Sequence, residues 1–162
     1  MNAELSRLAQ AVSEPLKAQK ETVAVAESSS GGLISAALLS IGGASAYYMG
    51  GGVIYTPKAR FALMDIPREA TVGMRSASEP YALLLARTVR EKFGATWGVS
   101  ETGAAGPTGN GYGDAAGHTC IAVSGPVEFA LTIETGSEDR LANMEAFAAA
   151  ALDALLRAVQ PI

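Results

Sequence analysis

Residues 23–43, "VAVAESSSGGLISAALLSIGG", contain the strand-to-helix junction that decides the fold. Residues 22–27, "TVAVAE", are short and apolar, which predicts a buried β-strand. "GGLISAALLSI" then repeats apolar residues at helical spacing on nearly all sides, which predicts a buried helix. A strand that passes directly into a helix, repeated along the chain, indicates parallel strands with crossover helices.

The elements on either side of this stretch continue the alternation of helix and strand. Residues 1–20 predict an amphipathic helix. Residues 47–56, "YYMGGGVIYT", predict a strand whose triple glycine indicates a bulge or the close approach of another backbone or a ligand. Pro57 then suits the first position of a helix in "PKARFALM". A loop is predicted for "REATVGMRSA", which follows.

The second half of the chain predicts one more crossover and then a hairpin. A helix is expected to begin after Ser78 as N-cap and to end at Gly94. "TWGVSETG" predicts a strand, and residues 104–117 a glycine-rich loop. "HTCIAVSG" and "VEFALTIET" predict a hairpin, and a long final helix is expected to be capped by Ser137, with Glu138 and Asp139 in its first turn.

This order predicts an α/β fold in three layers, α/β/α, with a mixed, mostly parallel sheet that has helices on both faces. The late hairpin supplies the antiparallel part. No repeat, linker or charge run divides the chain, so residues 1–162 are expected to form a single domain.

Composition limits the classes of function. The net charge is −4 and no basic patch is visible, so nucleic acid is not an expected partner. No apolar run reaches the roughly 18–20 residues of a membrane span, and charges interrupt the first helix, unlike a signal peptide. We therefore expect a cytoplasmic protein without membrane contact. His118 is the single histidine and Cys120, the single cysteine, lies in an apolar run, so neither a metal site nor a cofactor is predicted.

The serine-rich junction itself could carry chemistry. The first N–H groups of a helix lack intrahelical partners and that end is partially positive, so it can bind an anion or stabilise an oxyanion. Gly31 and Gly32 would let a ligand approach the backbone closely. The simpler alternative is that one serine caps the helix. No Gly-Lys-Ser/Thr follows, so the stretch is not a Walker motif.

Two further stretches place polar groups at strand ends, where ligands bind in α/β sheets. Tyr55 ends one strand, and Lys58 and Arg60 lie in the first helical turn behind it, where cations oppose the macrodipole. Thr102, with Gly103 and Gly106, follows another strand in "SETGAAGP". The alternatives are a solvated basic turn and a long hairpin loop.

Together, "AESSSGG", "GGGVIYTPKAR" and "SETGAAGP" resemble the CinA C-terminal domain family, whose motifs read approximately A-E-S-C-T-G-G, G-G-x-x-x-Y-S-N-x-A-K and S-x-T-G-I-A-G-P. The resemblance covers nearly the whole chain and implies a stand-alone form of the domain found in competence/damage-inducible proteins. It implies a three-layer α/β/α fold. It also implies a nicotinamide mononucleotide amidohydrolase, a hydrolase of pyridine nucleotide salvage that converts the carboxamide to carboxylate and ammonia.

The resemblance also implies roles for individual residues. Ser28 would be the nucleophile, with Ser30 as second choice, and Tyr55 the nearby tyrosine. Arg60 stands where the family has the lysine that activates the serine, and arginine stays protonated, so it can orient a phosphate or stabilise an oxyanion but cannot accept the serine proton. Lys58 lies about 200° away around a regular helix. The expected substrate contacts are Glu27, Ser30, Gly31, Gly32, Thr102, Gly103 and Gly106.

Two functions follow as hypotheses. The first is hydrolysis of nicotinamide mononucleotide or a related amide, with Ser28 as nucleophile and Tyr55 or Lys58 as base. The second is a catalytically inactive paralogue that binds a nucleotide-like ligand in a regulatory role, which Arg60 favours. An apolar-rich domain of this size is also compatible with a homo-oligomer.

Overall fold

The structure is a computed structural model and describes residues 1–160. The domain predicted for residues 1–162 is therefore described except for its last two residues, which lie outside the described part. No helix among residues 1–160 combines the length and apolar character needed to cross a membrane. The elements are α1 (Ala3–Gln19), β1 (Val23–Glu27), α2 (Leu33–Leu39), β2 (Tyr48–Val53), α3 (Pro57–Met64), α4 (Glu79–Phe93), β3 (Trp97–Ala104), β4 (His118–Ser124), β5 (Phe129–Glu134) and α5 (Arg140–Val159).

The five strands form one mixed sheet in the order β2-β1-β3-β4-β5. β1 pairs in parallel with both β2 and β3, while β3–β4 and β4–β5 are antiparallel. The parallel half comes from strands joined by helical crossovers, and the antiparallel half from the glycine-rich loop and the hairpin. The predicted mixed sheet is confirmed, with its pairings divided evenly between the two types.

Helices cover both faces of this sheet. Val23 and Val25 of β1 point into a core formed with α1, α2 and α5. Ala24 and Ala26, the alternate residues, pack instead against α4 and the segment around α3. Since side chains alternate across a strand, a fully buried β1 requires a layer on each side. The three-layer α/β/α class and the order of elements are thus confirmed.

Three local predictions need correction. α2 buries only one face, through Ile34, Ala37 and Leu38, while Leu39 is 58% exposed, so the helix is not buried on all sides. The N-cap of α5 is Asp139, whose side chain accepts the N–H of Ala142. Ser137 and Glu138 both precede the helix, and the Ser137 carbonyl accepts a hydrogen bond from the Asn143 side chain.

The third correction concerns the loop that was predicted after α3. Its first part, Arg68–Thr71, is a short 3-10 helix. The two predicted caps of α4 are present. Ser78 accepts the N–H of Tyr81, and Gly94 adopts the left-handed conformation that ends the helix.

The triple glycine of β2 serves a close approach between strands. A Cβ on Gly51 would lie 1.8 Å from the carbonyl oxygen of Val25 in β1. The β1–β2 register also shifts between Val23 and Ala24, where Tyr48 and Gly50 are the successive partners. Of the alternatives that the triple glycine indicated, the close approach of another backbone is therefore present, and the register is irregular just before it.

We expect Gly51→Ala to destabilise the fold, because the new methyl group overlaps the β1 backbone and cannot be relieved by moving a side chain. The expected loss in the free energy of unfolding is about 2–4 kcal/mol. Urea unfolding would measure it, with Gly42→Ala as control, since a Cβ at Gly42 meets nothing within 4 Å. Equal stability of the two variants would contradict this account of β2.

Candidate active site

The three predicted stretches meet at one edge of the sheet, where the carboxyl ends of β2, β1 and β3 lie side by side. A cavity of about 260 Å³ opens there, and residues from each stretch line it: Ser28, Tyr55, Arg60, Thr102 and Gly103. A ligand site at the carboxyl ends of parallel strands is the usual location in α/β folds. The fold therefore brings together residues from three stretches that are far apart in sequence.

The carboxylate of Glu27 fills the amino-terminal end of α2. It is fully buried and accepts hydrogen bonds from the N–H groups of Gly32 (2.9 Å), Ile34 (3.1 Å) and Ser35 (3.0 Å). These are the donors that the sequence offered to a ligand anion or an oxyanion. Since the chain's own carboxylate takes them, Glu27 organises the helix start and does not face the cavity.

A second buried carboxylate, Glu101 of β3, holds the serine turn from the neighbouring strand. It accepts the N–H groups of Ser28 (3.2 Å) and Ser30 (2.8 Å) and the hydroxyl hydrogens of Ser29 and Thr119. The sequence patterns do not reveal this role of Glu101. The available signal was a charged residue inside a predicted strand, because such a group needs several hydrogen-bond donors if the strand is buried.

These contacts distinguish the three serines. Ser30 is fully buried, and its hydroxyl lies 2.8 Å from a Glu27 oxygen and 2.9 Å from a Glu101 oxygen. Ser29 is 5% exposed and donates to Glu101. Ser28 is partly exposed and lines the cavity. Gly31 and Gly32 provide the positive φ angles, 67° and 101°, that turn the chain into α2, and neither lines the cavity.

The residues after β2 take up different environments. Tyr55 is exposed at the cavity mouth, and its hydroxyl oxygen accepts a hydrogen bond from Arg140 at 3.1 Å. Lys58 is exposed and does not line the cavity. Arg60 is only 8% exposed, and its guanidinium lies over the ring of Tyr81, 5.8 Å from the ring centre. The regular first turn of α3 thus separates Lys58 from Arg60, as their spacing predicts.

The end of β3 supplies the opposite wall. Thr102 accepts the N–H of Ala77 at 3.1 Å and lines the cavity. Gly103 is required by pairing, since a Cβ there would lie 2.4 Å from the His118 carbonyl oxygen in β4. Gly106 lines an adjoining cavity of about 270 Å³ and accepts a hydrogen bond from Arg140.

Arg140, from the first turn of α5, is the functional candidate that the sequence reasoning missed. It contacts Tyr55 and Gly106 and lines the adjoining cavity together with Ser29. A cation in the first turn of a helix opposes the macrodipole, which is the same signal that singled out Lys58 and Arg60.

The chemical inventory of the cavity is hydroxyl-rich and cationic. Ser28, Tyr55, Thr56, Ser76, Tyr81 and Thr102 supply hydroxyl groups, and Arg60 supplies one permanent positive charge. Among residues 1–160, no three His, Cys, Asp or Glu side chains are grouped so that they could hold a metal ion. The arrangement can bind a polar or anionic group and present a serine hydroxyl to it.

Comparison with known sequences decides the family. The sequence profile described as CinA C-terminal domain matches residues 5–159. The chain belongs to the CinA C-terminal domain family. A CinA-like protein of Salinibacter ruber is 37% identical over 140 residues, which are 86% of this chain and 34% of that protein. A CinA-like protein of Gloeothece citriformis is 36% identical over 159 residues, 96% of this chain and 38% of that protein. The chain therefore spans about a third of the length of these curated CinA relatives.

Solved structures agree with this CinA assignment. The competence/damage inducible protein CihA of Agrobacterium tumefaciens superposes with a TM-score of 0.89 at 27% identity, covering 99% of this chain and 98% of that chain. A CinA superfamily protein of Klebsiella pneumoniae gives a TM-score of 0.89 at 23% identity and covers 98% of both chains. The latter likeness shows the shared fold alone.

In this CinA domain, His118 fixes the segment before α4. Its Nδ1 lies 2.6 Å from a carboxylate oxygen of Glu134, and its Nε2 lies 2.8 Å from the carbonyl oxygen of Ala77. Both neighbours are acceptors, so these contacts favour the charged imidazole, in which both ring nitrogens donate. Ala77 has a φ of 54°, and the adjacent Ser76 lines the cavity.

The same contacts determine the direction in which the pKa of His118 is shifted. Burial opposes the charged ring, but the hydrogen bonds to Glu134 and the Ala77 carbonyl, with the charges of Asp114 and Glu134, outweigh burial and raise the pKa of His118. Asp114 lies 3.6 Å away and also pairs with Arg75, and the Cys120 sulfur lies 3.9 Å from Nε2.

Replacing Glu27 by Gln tests the role of the buried carboxylate. We expect a loss of about 3 kcal/mol in the free energy of unfolding, because the amide NH₂ group faces N–H donors that then lack an acceptor. Chemical unfolding would measure the loss. Glu14→Gln on the exposed face of α1 is the control and should change stability little. A Glu27→Gln variant as stable as that control would be inconsistent with the described network.

His118 should make stability depend on pH. Because its folded-state pKa is raised, its contribution is fully present below the unfolded value of about 6.5 and disappears as pH rises through the folded pKa. Unfolding free energies measured from pH 5.5 to 8.5 should therefore fall more steeply in the wild type than in His118→Gln. The chain has no other histidine to produce this slope. Parallel pH profiles would refute the charged-histidine contact.

Proposed function

We propose that the chain hydrolyses the carboxamide of nicotinamide mononucleotide, or of a related amide, with Ser28 as nucleophile. One observation carries the proposal: of the three serines in the turn, Ser28 alone lines the cavity that contains Tyr55, Arg60 and Thr102. Ser29 and Ser30 are held by buried carboxylates. Membership of the CinA C-terminal domain family is compatible with this activity, which the motif resemblance implies.

The proposed chemistry is acyl transfer in two steps. The Ser28 oxygen attacks the carboxamide carbon while its proton passes to a base. The tetrahedral intermediate then collapses as the C–N bond breaks, and the leaving NH₂ group takes up that proton from the base and departs as ammonia. Water then cleaves the ester, which releases the carboxylate and restores the Ser28 hydroxyl. The positive charge of Arg60 at the cavity wall would stabilise the negative oxygen of both tetrahedral intermediates.

Tyr55 is the better placed of the two bases that the sequence allowed. Both side chains are exposed, but Tyr55 lines the cavity and Lys58 does not. Arg140 donates a hydrogen bond to the Tyr55 oxygen at 3.1 Å, which orients this side chain at the cavity mouth. Arg60 remains protonated and takes no part in proton transfer.

A second function, ligand binding without hydrolysis, is favoured by one specific feature. Arg60 occupies the lysine position of the family motif, and neither lysine nor histidine is found among the described residues that line the cavity. A binding protein needs the pocket but no proton acceptor. In that case the chain would act through occupancy of the site, in a regulatory role.

Ammonia release from nicotinamide mononucleotide distinguishes the two functions. For a hydrolase, Ser28→Ala should lower kcat by about a thousandfold or more, since it removes the nucleophile. Tyr55→Phe should lower kcat by about a hundredfold or more. Ser40→Ala, an exposed serine at the end of α2, is the matched control.

Two results would decide against the hydrolase. Turnover that survives Ser28→Ala would remove Ser28 as nucleophile. An inactive wild type that gains turnover in Arg60→Lys would favour the binding function, because the substitution restores an amine that can accept a proton.

A further inference from the structure

Among the described residues that line the cavity, Arg60 is the one with a charged side chain. Its side chain is more than nine-tenths buried, and its Nε has no hydrogen-bond partner among residues 1–160. None of the ion pairs formed within this described part includes Arg60. The aromatic face of Tyr81 offers a favourable contact for the cation but no hydrogen-bond acceptor.

A buried cation without a partner is costly, and the cost is removed when a ligand supplies the negative charge. Arg60 lies between two cavities, because it lines both the hydroxyl-rich cavity that contains Ser28 and a larger one of about 750 Å³. The larger cavity is also lined by Arg68 and Glu69. Among the described residues, no carboxylate side chain lines the smaller cavity, so the positive charge of Arg60 is unopposed there.

We propose that the cavity lined by Ser28 and Arg60 is a receptor for an oxyanion, a carboxylate or a phosphate of the ligand, and that it prefers an acid to the isosteric amide. The guanidinium would donate to the anion, and Ser28 and Thr102 would add hydroxyl hydrogen bonds. The rest of the ligand would extend into the larger cavity, along Phe61 and Met74. The proposal rests on the ligand position proposed above but does not require turnover.

The preference has a consequence for catalysis. Hydrolysis of an amide creates a carboxylate at the point where the amide was bound, and that product would meet Arg60 directly. The acid would therefore bind more tightly than the amide that gave rise to it and would inhibit the reaction as it accumulates. A binding protein with the same cavity would respond to the acid and ignore the amide.

Nicotinate and nicotinamide form a matched pair of probes, because they have nearly the same shape and differ in charge. Titrations followed by the ¹H–¹⁵N signals of arginine Nε–H groups should show nicotinate binding about tenfold or more tightly than nicotinamide, with a shift of the Arg60 signal. Inorganic phosphate is the third probe, and it identifies a phosphate preference if it shifts the same signal more strongly than nicotinate. The Arg60 signal is assigned by its absence in Arg60→Lys.

Arg90→Gln is the matched control, since the Nε of Arg90 is also buried without a partner but its side chain lines neither cavity. Arg60→Gln should lose the preference for the anion, whereas Arg90→Gln should keep it. The wild-type titration measures the preference for nicotinate over nicotinamide even if a variant fails to fold.

The outcomes separate this proposal from the proposed function. Anion binding that depends on Arg60, in a protein without ammonia release, would support the oxyanion receptor and reject the hydrolase. Ammonia release without a preference for the acid would support the hydrolase and reject the oxyanion receptor. If neither nicotinate nor phosphate shifts the Arg60 signal, or if Arg60→Gln binds them as the wild type does, the receptor is refuted.

Discussion

The hydrogen bonds of two buried carboxylates to the serine turn are the constraint on which the site depends. Glu27 ends β1 and accepts the N–H groups at the start of α2, while Glu101 reaches the same turn from β3. Neither carboxylate has a cationic partner among the ion pairs of residues 1–160, so N–H and O–H dipoles carry their stabilisation. The turn is thereby fixed to two neighbouring strands, and Ser28 is left facing the cavity.

This arrangement changes the source of positive potential in the site. A free helix start would attract a ligand anion through its N–H groups. Here Glu27 occupies that position, so a ligand meets side-chain cations instead, from Arg60 on one wall and Arg140 near Tyr55. The potential is consequently set by residues outside the serine turn. Substitutions in α3 and α5 can therefore alter ligand preference while the turn keeps its geometry.

Local patterns were sufficient for the elements but not for the contacts between them. The alternation of "TVAVAE" with "GGLISAALLSI" predicted β1 and α2, and polar residues at strand ends predicted which stretches meet. The roles of Glu27 and Glu101 could not be predicted, because periodicity does not reveal which donors face a buried acid. The contacts of Arg140 with Tyr55 and of His118 with Ala77 join residues 85 and 41 positions apart, so they depend on how the layers pack. The start of α5 was placed too early because Ser137 and Asp139 are both residue types that commonly cap helices, and the side chain that accepts the N–H of Ala142 is that of Asp139.

Arg60 connects the sequence motif with the chemistry that the site can perform. A lysine in that position could lose its proton and act as a base, whereas a guanidinium keeps its charge at any useful pH. The substitution therefore exchanges a group that can accept a proton for a fixed charge, in a cavity lined by hydroxyl groups. A fixed positive charge stabilises the oxyanion of an amide under attack, and it stabilises the product carboxylate as well. Because the second interaction lasts as long as the product is bound, a site of this kind would release its acid slowly even where the chemical step is fast.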